Sequence, residues 1–173
     1  MRVVAGEFKG RRLRAPRGMR TRPTADRVRE ALFSMLGDVS GARVLDLYAG
    51  SGALGIEALS RGAASAVFVE RDARAASAIR DNLRALELDQ AVRRQDALRF
   101  LAANEGTFDL VFCDPPYDSV PRIAEPLAER LPALLTQGAR IVTESDKRMP
   151  LELPFELLAE RTYGDTRIAI HVR

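Results

Sequence analysis

The chain has one cysteine, one histidine and no tryptophan in 173 residues. A lone Cys113 excludes an internal disulfide and a cysteine-based metal site. It falls in an apolar run and reads as a small core residue. A lone His171, in the last strand-like segment, excludes a His-rich metal centre, so no metal is expected. Without tryptophan, a ring that stacks on a base must be Tyr or Phe. No run approaches the roughly 20 apolar residues that a membrane span needs. Arg2, Lys9, Arg11 and Arg12 interrupt the start where a secretory signal would be apolar, so the expected location is the cytoplasm.

What is present is a globular composition, 46% hydrophobic and 29% charged, of a length suited to one domain with a small extension. The net charge is only +3, but it is unevenly spread. Residues 1–30 hold ten Lys or Arg against three acids, while the remainder holds 17 basic and 21 acidic side chains. Arginine supplies 25 of the 27 cations, a bias that would act on the whole chain and does not explain the asymmetry. A basic N-terminal segment facing a polyanion does, and nucleic acid is the expected partner.

Val3–Gly6 and Gly10–Leu13 can pair as a small hairpin, and Pro16, Gly18 and Pro23 suggest loop after it. Thr24 is a plausible helix cap with Asp26 in the first turn, followed to Leu36 by apolar residues at helical spacing. Arg27 and Arg29 lie on that helix, one face of which should pack on the domain while the other offers arginines to a ligand. From Arg43 onward strand and helix alternate. Strands are predicted near 43–47, 66–70, 91–95, 108–113 and 139–144, then 155–162 and 166–172 around a Tyr163-Gly164-Asp165 turn. Helices are predicted near 53–61, 73–87, 97–104 and 121–135. This alternation implies an α/β fold, a mostly parallel sheet covered by helices, with an antiparallel edge from the closing hairpin. Ligands of such sheets bind beyond the carboxyl ends of the strands.

Two motifs fall at those ends. The run Phe108–Cys113 leads into Asp114-Pro115-Pro116-Tyr117. Two prolines fix φ and remove two backbone donors, leaving the Pro115 carbonyl as a free acceptor. Asp114 supplies a second acceptor and Tyr117 a stacking face. Two fixed acceptors match the two hydrogens of a planar exocyclic amine and favour the pyramidal form that attacks an electrophile. The other motif follows Val44–Leu47, where Gly50, Gly52 and Gly55 form G-x-G-x-x-G between strand and helix. The pattern also opens dinucleotide-binding domains, and Glu70 lies where a ribose-binding acid belongs. Asp46, however, would sit poorly beside a pyrophosphate. It suits a cationic ligand, and S-adenosylmethionine carries both an ammonium and a sulfonium. Glu70 can accept two ribose hydroxyls, and Asp96 can accept an adenine amine. Each acid also has a plain structural alternative as a helix N-cap.

The series Asp46-Leu-Tyr-Ala-Gly-Ser-Gly52, Glu70, Asp96 and Asp114–Tyr117 resembles class I S-adenosylmethionine-dependent methyltransferases that modify exocyclic amines. More narrowly, Arg22–Phe33 and Tyr48–Arg61 resemble the RsmD family, bacterial guanine-N2 methyltransferases of 16S ribosomal RNA. The resemblance covers nearly the whole chain. It implies a Rossmann-like class I fold with a seven-stranded sheet at 37–173 and a basic RNA-contacting arm, hairpin and helix at 1–36. It implies that Asp46, Tyr48, Ala49, Gly50, Ser51, Gly52, Glu70, Arg71, Asp96, Ala97 and Asp114 bind S-adenosylmethionine, leaving S-adenosylhomocysteine as product. Asp114, Pro115, Pro116 and Tyr117 would be catalytic, and Arg11, Arg12, Arg20, Arg22, Arg27 and Arg29 would bind phosphates of 16S rRNA in the small subunit or an assembly intermediate. A monomer is expected.

Other readings remain open on the residues. The tetrapeptide also serves enzymes of adenine N6 or cytosine N4, and a relative serves protein glutamine, which the basic arm disfavours. DNA enzymes usually add a target-recognition region, for which this chain has no room. A non-catalytic RNA-binding assembly factor would not need Asp46, Gly50, Gly52 and Asp114 intact. A nicotinamide-dependent oxidoreductase is disfavoured by Asp46.

Overall fold

The computed structural model describes residues 1–16, 26–103 and 106–173. Thr24, Arg20 and Arg22, named above, lie outside the described residues. Seven strands form one sheet in the order β3-β2-β1-β4-β5-β7-β6. They are β1 (Arg43–Leu47), β2 (Ser65–Val69), β3 (Ala91–Arg93), β4 (Phe108–Cys113), β5 (Leu135–Asp146), β6 (Glu156–Tyr163) and β7 (Thr166–Val172). The first five run parallel, whereas β7 pairs antiparallel with both β5 and β6. The chain reverses its order of strand addition between β1 and β4, the switch point where α/β sheets open a ligand crevice.

Helices α1 (Asp26–Leu36), α2 (Ala53–Ser60), α3 (Ala73–Ala85), α4 (Ala97–Ala103) and α5 (Val120–Arg130) flank the sheet. One core cluster joins Phe33, Ile56, Phe68, Ile79, Phe112 and Ile170. The other joins Leu47, Phe100, Val111, Leu127, Leu131 and Ile141. Strands buried on both faces explain why β1 and β4 read as continuous apolar runs rather than alternating ones.

Several element ends depart from expectation, among them those of α5, β5 and β3. Helix α5 stops at Arg130 and one tight 3-10 turn, Leu131–Leu134, carries the chain into β5. Pro132 has no N–H to continue the α-helical ladder. Strand β5 starts earlier than 139 because its pairing with β4 jumps from Phe108↔Leu135 to Leu110↔Arg140, with Gly138 at φ 74° in the irregularity. Strand β3 keeps only three residues.

The N-terminal hairpin forms, held by Val3 N–H to Arg11 O (3.0 Å), Gly10 N–H to Val3 O (2.9 Å) and Leu13 N–H to Met1 O (3.1 Å). Its inner face is part of the main core, since Val3 and Leu13 cluster with Leu32, Phe33 and Val44. Polar groups strap it down as well. The fully buried Glu57 accepts the N–H groups of Val4 (2.7 Å) and Ala5 (3.0 Å), and Ser60 Oγ donates to Ala5 O (2.6 Å). Gly6 is required here: at φ 81° a Cβ would lie 1.7 Å from the Ser60 carbonyl oxygen.

Candidate active site

The glycine loop begins where β1 ends. Tyr48 (φ 59°), Gly50 (φ 57°) and Gly52 (φ 77°) all adopt left-handed backbone, a path that non-glycine residues seldom follow. The loop is closed by Gly52 N–H to Ala49 O (2.7 Å) and tied to β2 by Ala49 N–H to Val69 O (3.1 Å). The third glycine acts differently. A Cβ on Gly55 would lie 2.4 Å from Phe68 Cε1 and 3.0 Å from Asp46 Oδ2, so Gly55 lets α2 close onto the sheet.

Asp46 is buried beneath this loop, with Oδ2 accepting the Gly55 N–H at 2.9 Å. Burial pushes its carboxyl up to about 8 against the Gly55 bond, and the charge of Glu70 adds to the rise. Glu70, also buried, bridges two loops: Oε2 accepts Gly50 N–H (2.9 Å) and Oε1 accepts Asp72 N–H (2.8 Å). It does not cap α3; Asp72 does, accepting from Arg74 and Ala75. Asp96 does cap its helix, with Oδ1 accepting from Leu98 (2.9 Å) and Arg99 (3.2 Å). The adjoining Ala97 is buried and Arg71 is exposed. Tyr48 is half-buried; burial raises its phenol, with further rises from Cys113 and Asp96 and an opposing effect from Arg71. Those influences gather the ends of β1, β2, β3 and β4 around one side chain.

At the end of β4, Asp114 is partly open to solvent. Its carboxyl is nonetheless raised well above the ordinary range, first by desolvation, then by the charges of Glu144 and Asp46. Pro115 is buried, and among the described residues no hydrogen bond reaches its carbonyl. The Pro116 carbonyl is taken instead, by Ser119 N–H (2.9 Å) and Oγ (2.6 Å), which bends the chain into a 3-10 turn, Tyr117–Ser119. Tyr117 stays 37% exposed, and its hydroxyl bonds Thr166 Oγ1 at 3.1 Å. Sequence reasoning missed Glu144. It ends the predicted fifth strand, and the rule that flagged Asp46 and Glu70, an acid at a strand's carboxyl end, applies to it equally.

The arginines divide. Arg12 and Arg27 are exposed, and Arg11 is exposed while its Nη2 donates to Ala85 O at 2.6 Å. Arg29 is a correction: it is wholly buried, pairs with Asp26 (2.9 Å), lies 3.9 Å from Glu57 and donates to Arg2 O, so it holds the arm from inside and offers nothing to a ligand. Spacing placed it on the helix, but its neighbours Leu32, Phe33 and Leu36 mark the face it shares.

The family model described as conserved hypothetical protein 95 matches residues 1–172. The chain belongs to that family, the RsmD family. A Haemophilus influenzae member, named ribosomal RNA small subunit methyltransferase D, is 39% identical over 95% of this chain and 89% of its own. The Escherichia coli protein of the same name is 44% identical over 68% of this chain and 60% of its own. Among solved structures, the Escherichia coli protein yhhF superposes with a TM-score of 0.86 at 34% identity, covering 100% of this chain and 97% of its own. RsmD-family membership thus joins with the geometry: a glycine loop, an acid at or just past each neighbouring strand end and an Asp-Pro-Pro-Tyr turn lie at the carboxyl ends of β1, β2, β3 and β4.

Proposed function

We propose that this protein transfers a methyl group from S-adenosylmethionine to the exocyclic N2 amine of a guanine in 16S rRNA. The observation that carries the reading is the Asp114–Tyr117 turn, which follows β4 with an acidic side chain, a Pro115 carbonyl that no described residue bonds and an exposed ring in one short segment. The rRNA small-subunit methyltransferases among its relatives support the substrate class.

The residues fit the cofactor. Left-handed backbone at Gly50, where an added Cβ would approach nothing nearer than Tyr48 O at 3.9 Å, leaves that turn bare of a side chain where a ligand would approach, while Gly52 lets the loop close over Ile79 and Phe68. Glu70 has the paired oxygens a ribose diol needs, and Asp96 supplies an acceptor for adenine. The carboxyls of Asp46 and Asp114 are raised by burial and by neighbouring acids, and an incoming positive charge would favour their ionised forms. When bound, S-adenosylmethionine supplies an electrophilic methyl on a sulfonium, which leaves as a neutral thioether.

The chain's own residues do the rest. Asp114 and the Pro115 carbonyl accept the two N–H bonds of the guanine amine and orient its lone pair toward the methyl carbon. Tyr117 stacks on the base after it leaves its neighbours. As the N–C bond forms and the C–S bond breaks, an amine proton becomes acidic, and Asp114 or water takes it. Most of the rate gain comes from proximity and orientation. Arg11, Arg12, Arg20, Arg22 and Arg27 bind phosphates, which sets register rather than base identity, with residues 1–36 as the RNA-contacting part.

The test is transfer of labelled methyl from S-adenosylmethionine to unmodified small subunits, assembly intermediates and naked 16S rRNA, with the product nucleoside identified. N2-methylguanosine at one site is expected. Label on adenine or cytosine, or none on any RNA, overturns the reading.

A further inference from the structure

One feature of the site has no role in that chemistry. Strand β5 ends at Asp146, and the chain then reverses in a tight turn. Met149 N–H donates to Asp146 O (3.0 Å), and Arg148 N–H donates to Asp146 Oδ1 (2.8 Å). The turn is also locked from outside. Lys147 N–H donates to Asp165 O (2.8 Å), and Lys147 Nζ reaches Gly164 O and Asp165 Oδ1, both at 3.0 Å. The β6–β7 turn that receives these bonds is followed by Thr166, the partner of the Tyr117 hydroxyl. A rigid frame thus joins Asp146, Met149 and Tyr117.

Together with Asp118 and Arg148 these residues line a single depression of about 230 Å³. Its apolar part is unusual. Met149 is 43% exposed and Tyr117 37%, two of four large hydrophobic side chains so exposed among the described residues. A thioether and an aromatic ring fixed in one hollow fit a planar, polarizable ligand. Its polar part is selective. Asp146 Oδ2 has no partner among the described residues. Guanine presents N1–H and the N2 amine as adjacent donors on one edge, whereas adenine and cytosine present a ring-nitrogen acceptor beside their amine. A carboxylate accepts from the first and repels the second.

We propose that the Asp146–Met149 turn is the base-reading wall of the acceptor pocket, with Asp146 accepting guanine N1–H and Met149 packing on the base held by Tyr117. Asp146 is then a specificity-determining residue, separate from the amine-holding pair. This rests on the proposed guanine-N2 activity and adds the means by which guanine is chosen.

The experiment replaces the acceptor guanosine in the RNA by 2-aminopurine riboside, which keeps the C2 amine but has an acceptor at N1. The unsubstituted protein should favour guanine by about 10- to 100-fold in kcat/KM, the worth of one hydrogen bond to a charged group. Asp146→Asn keeps an acceptor for Arg148 N–H while its amide can donate to the 2-aminopurine ring nitrogen. It should narrow that ratio at least several-fold or invert it, with adenosylhomocysteine affinity unchanged. Met149→Ala should raise KM for both RNAs and leave the ratio alone. A ratio unaltered by Asp146→Asn overturns the proposal, as does a ratio near one in the unsubstituted protein. Failure of the underlying activity looks different: no N2-methylguanosine forms even on the guanine-containing RNA.

Discussion

Glu57→Ala should detach the N-terminal hairpin from the domain. Glu57 is fully buried, accepts the Val4 and Ala5 N–H groups, and pairs with Arg61 at 2.8 Å and Arg29 at 3.9 Å. Each charge-assisted bond is worth about 1.5–3 kcal/mol, but adding them overshoots. Arg61 is 22% exposed and regains water, and Arg29 keeps Asp26 and Arg2 O. Breaking a buried pair from one side costs about 3–5 kcal/mol, and we take about 4 kcal/mol here. At about 2–4 °C per kcal/mol for a domain of this size, the melting temperature should fall by about 8–16 °C. The assay combines thermal unfolding with hydrogen exchange of the Val4 and Ala5 amides. Both amides should lose protection in the variant before the sheet does, and RNA affinity should fall more than adenosylhomocysteine affinity. A melting temperature within 2 °C of the parent's would refute the reasoning, as would protected Val4 and Ala5 amides.

Asp114→Asn should cut methyl transfer by at least about 100-fold while leaving thermal stability at pH 8 equal or higher, because burial and the charges of Glu144 and Asp46 already penalise the carboxylate; retained turnover in a less stable variant would contradict this. Gly6→Ala forces a Cβ to within 1.7 Å of the Ser60 carbonyl at φ 81°, so the hairpin must shift; we expect a loss of about 2–4 kcal/mol by denaturant unfolding, and an unchanged midpoint would show that the strap does not depend on that contact. Asp46, raised from 3.8 to about 8, is protonated in the fold but ionised in the unfolded chain between those values, so its contribution to stability declines as pH rises through that window. Ionisation of Asp46 favours a sulfonium, so calorimetric affinity for S-adenosylmethionine relative to adenosylhomocysteine should rise from pH 6 to 9; a flat ratio would remove Asp46 from that role.

The centre of the sheet was legible because β1 and β4 are buried on both faces and the turns are marked by glycine and proline. Positions 43–47 and 108–113 are matched to the residue. The irregular start of β5 was not, because a register jump depends on the partner strand and leaves no local pattern. The basic arm was legible as a charge asymmetry, but its anchoring was not. Glu57 reads as an ordinary helix residue, Ser60 as a helix end, and only the fold brings the hairpin onto both. Asn82 shows the same limit: buried on α3, it bonds Arg14 N and O and the Ser51 carbonyl, linking the arm's exit to the glycine loop across 31 residues or more.

For the site, the sequence could place acids at strand ends but not apportion their work. Asp46, Glu70 and Asp96 each hold a backbone amide here, which is what the alternative of a purely structural acid requires. Asp114 differs, with no hydrogen bond to its side chain among the described residues and a carboxyl strained by desolvation and by Glu144 and Asp46. A scaffold gains nothing from gathering such charges at one crevice, since each raised carboxyl is a destabilising one when ionised. A positively charged ligand reverses the sign. On the proposed activity it would lower the Asp46 and Asp114 carboxyls together, so electrostatics that are unfavourable without it become selectivity for a sulfonium over its neutral product. On the proposed activity, that same reversal would return Asp114 to the form that can accept the amine's hydrogens, tying readiness for methyl transfer to the arrival of the methyl donor.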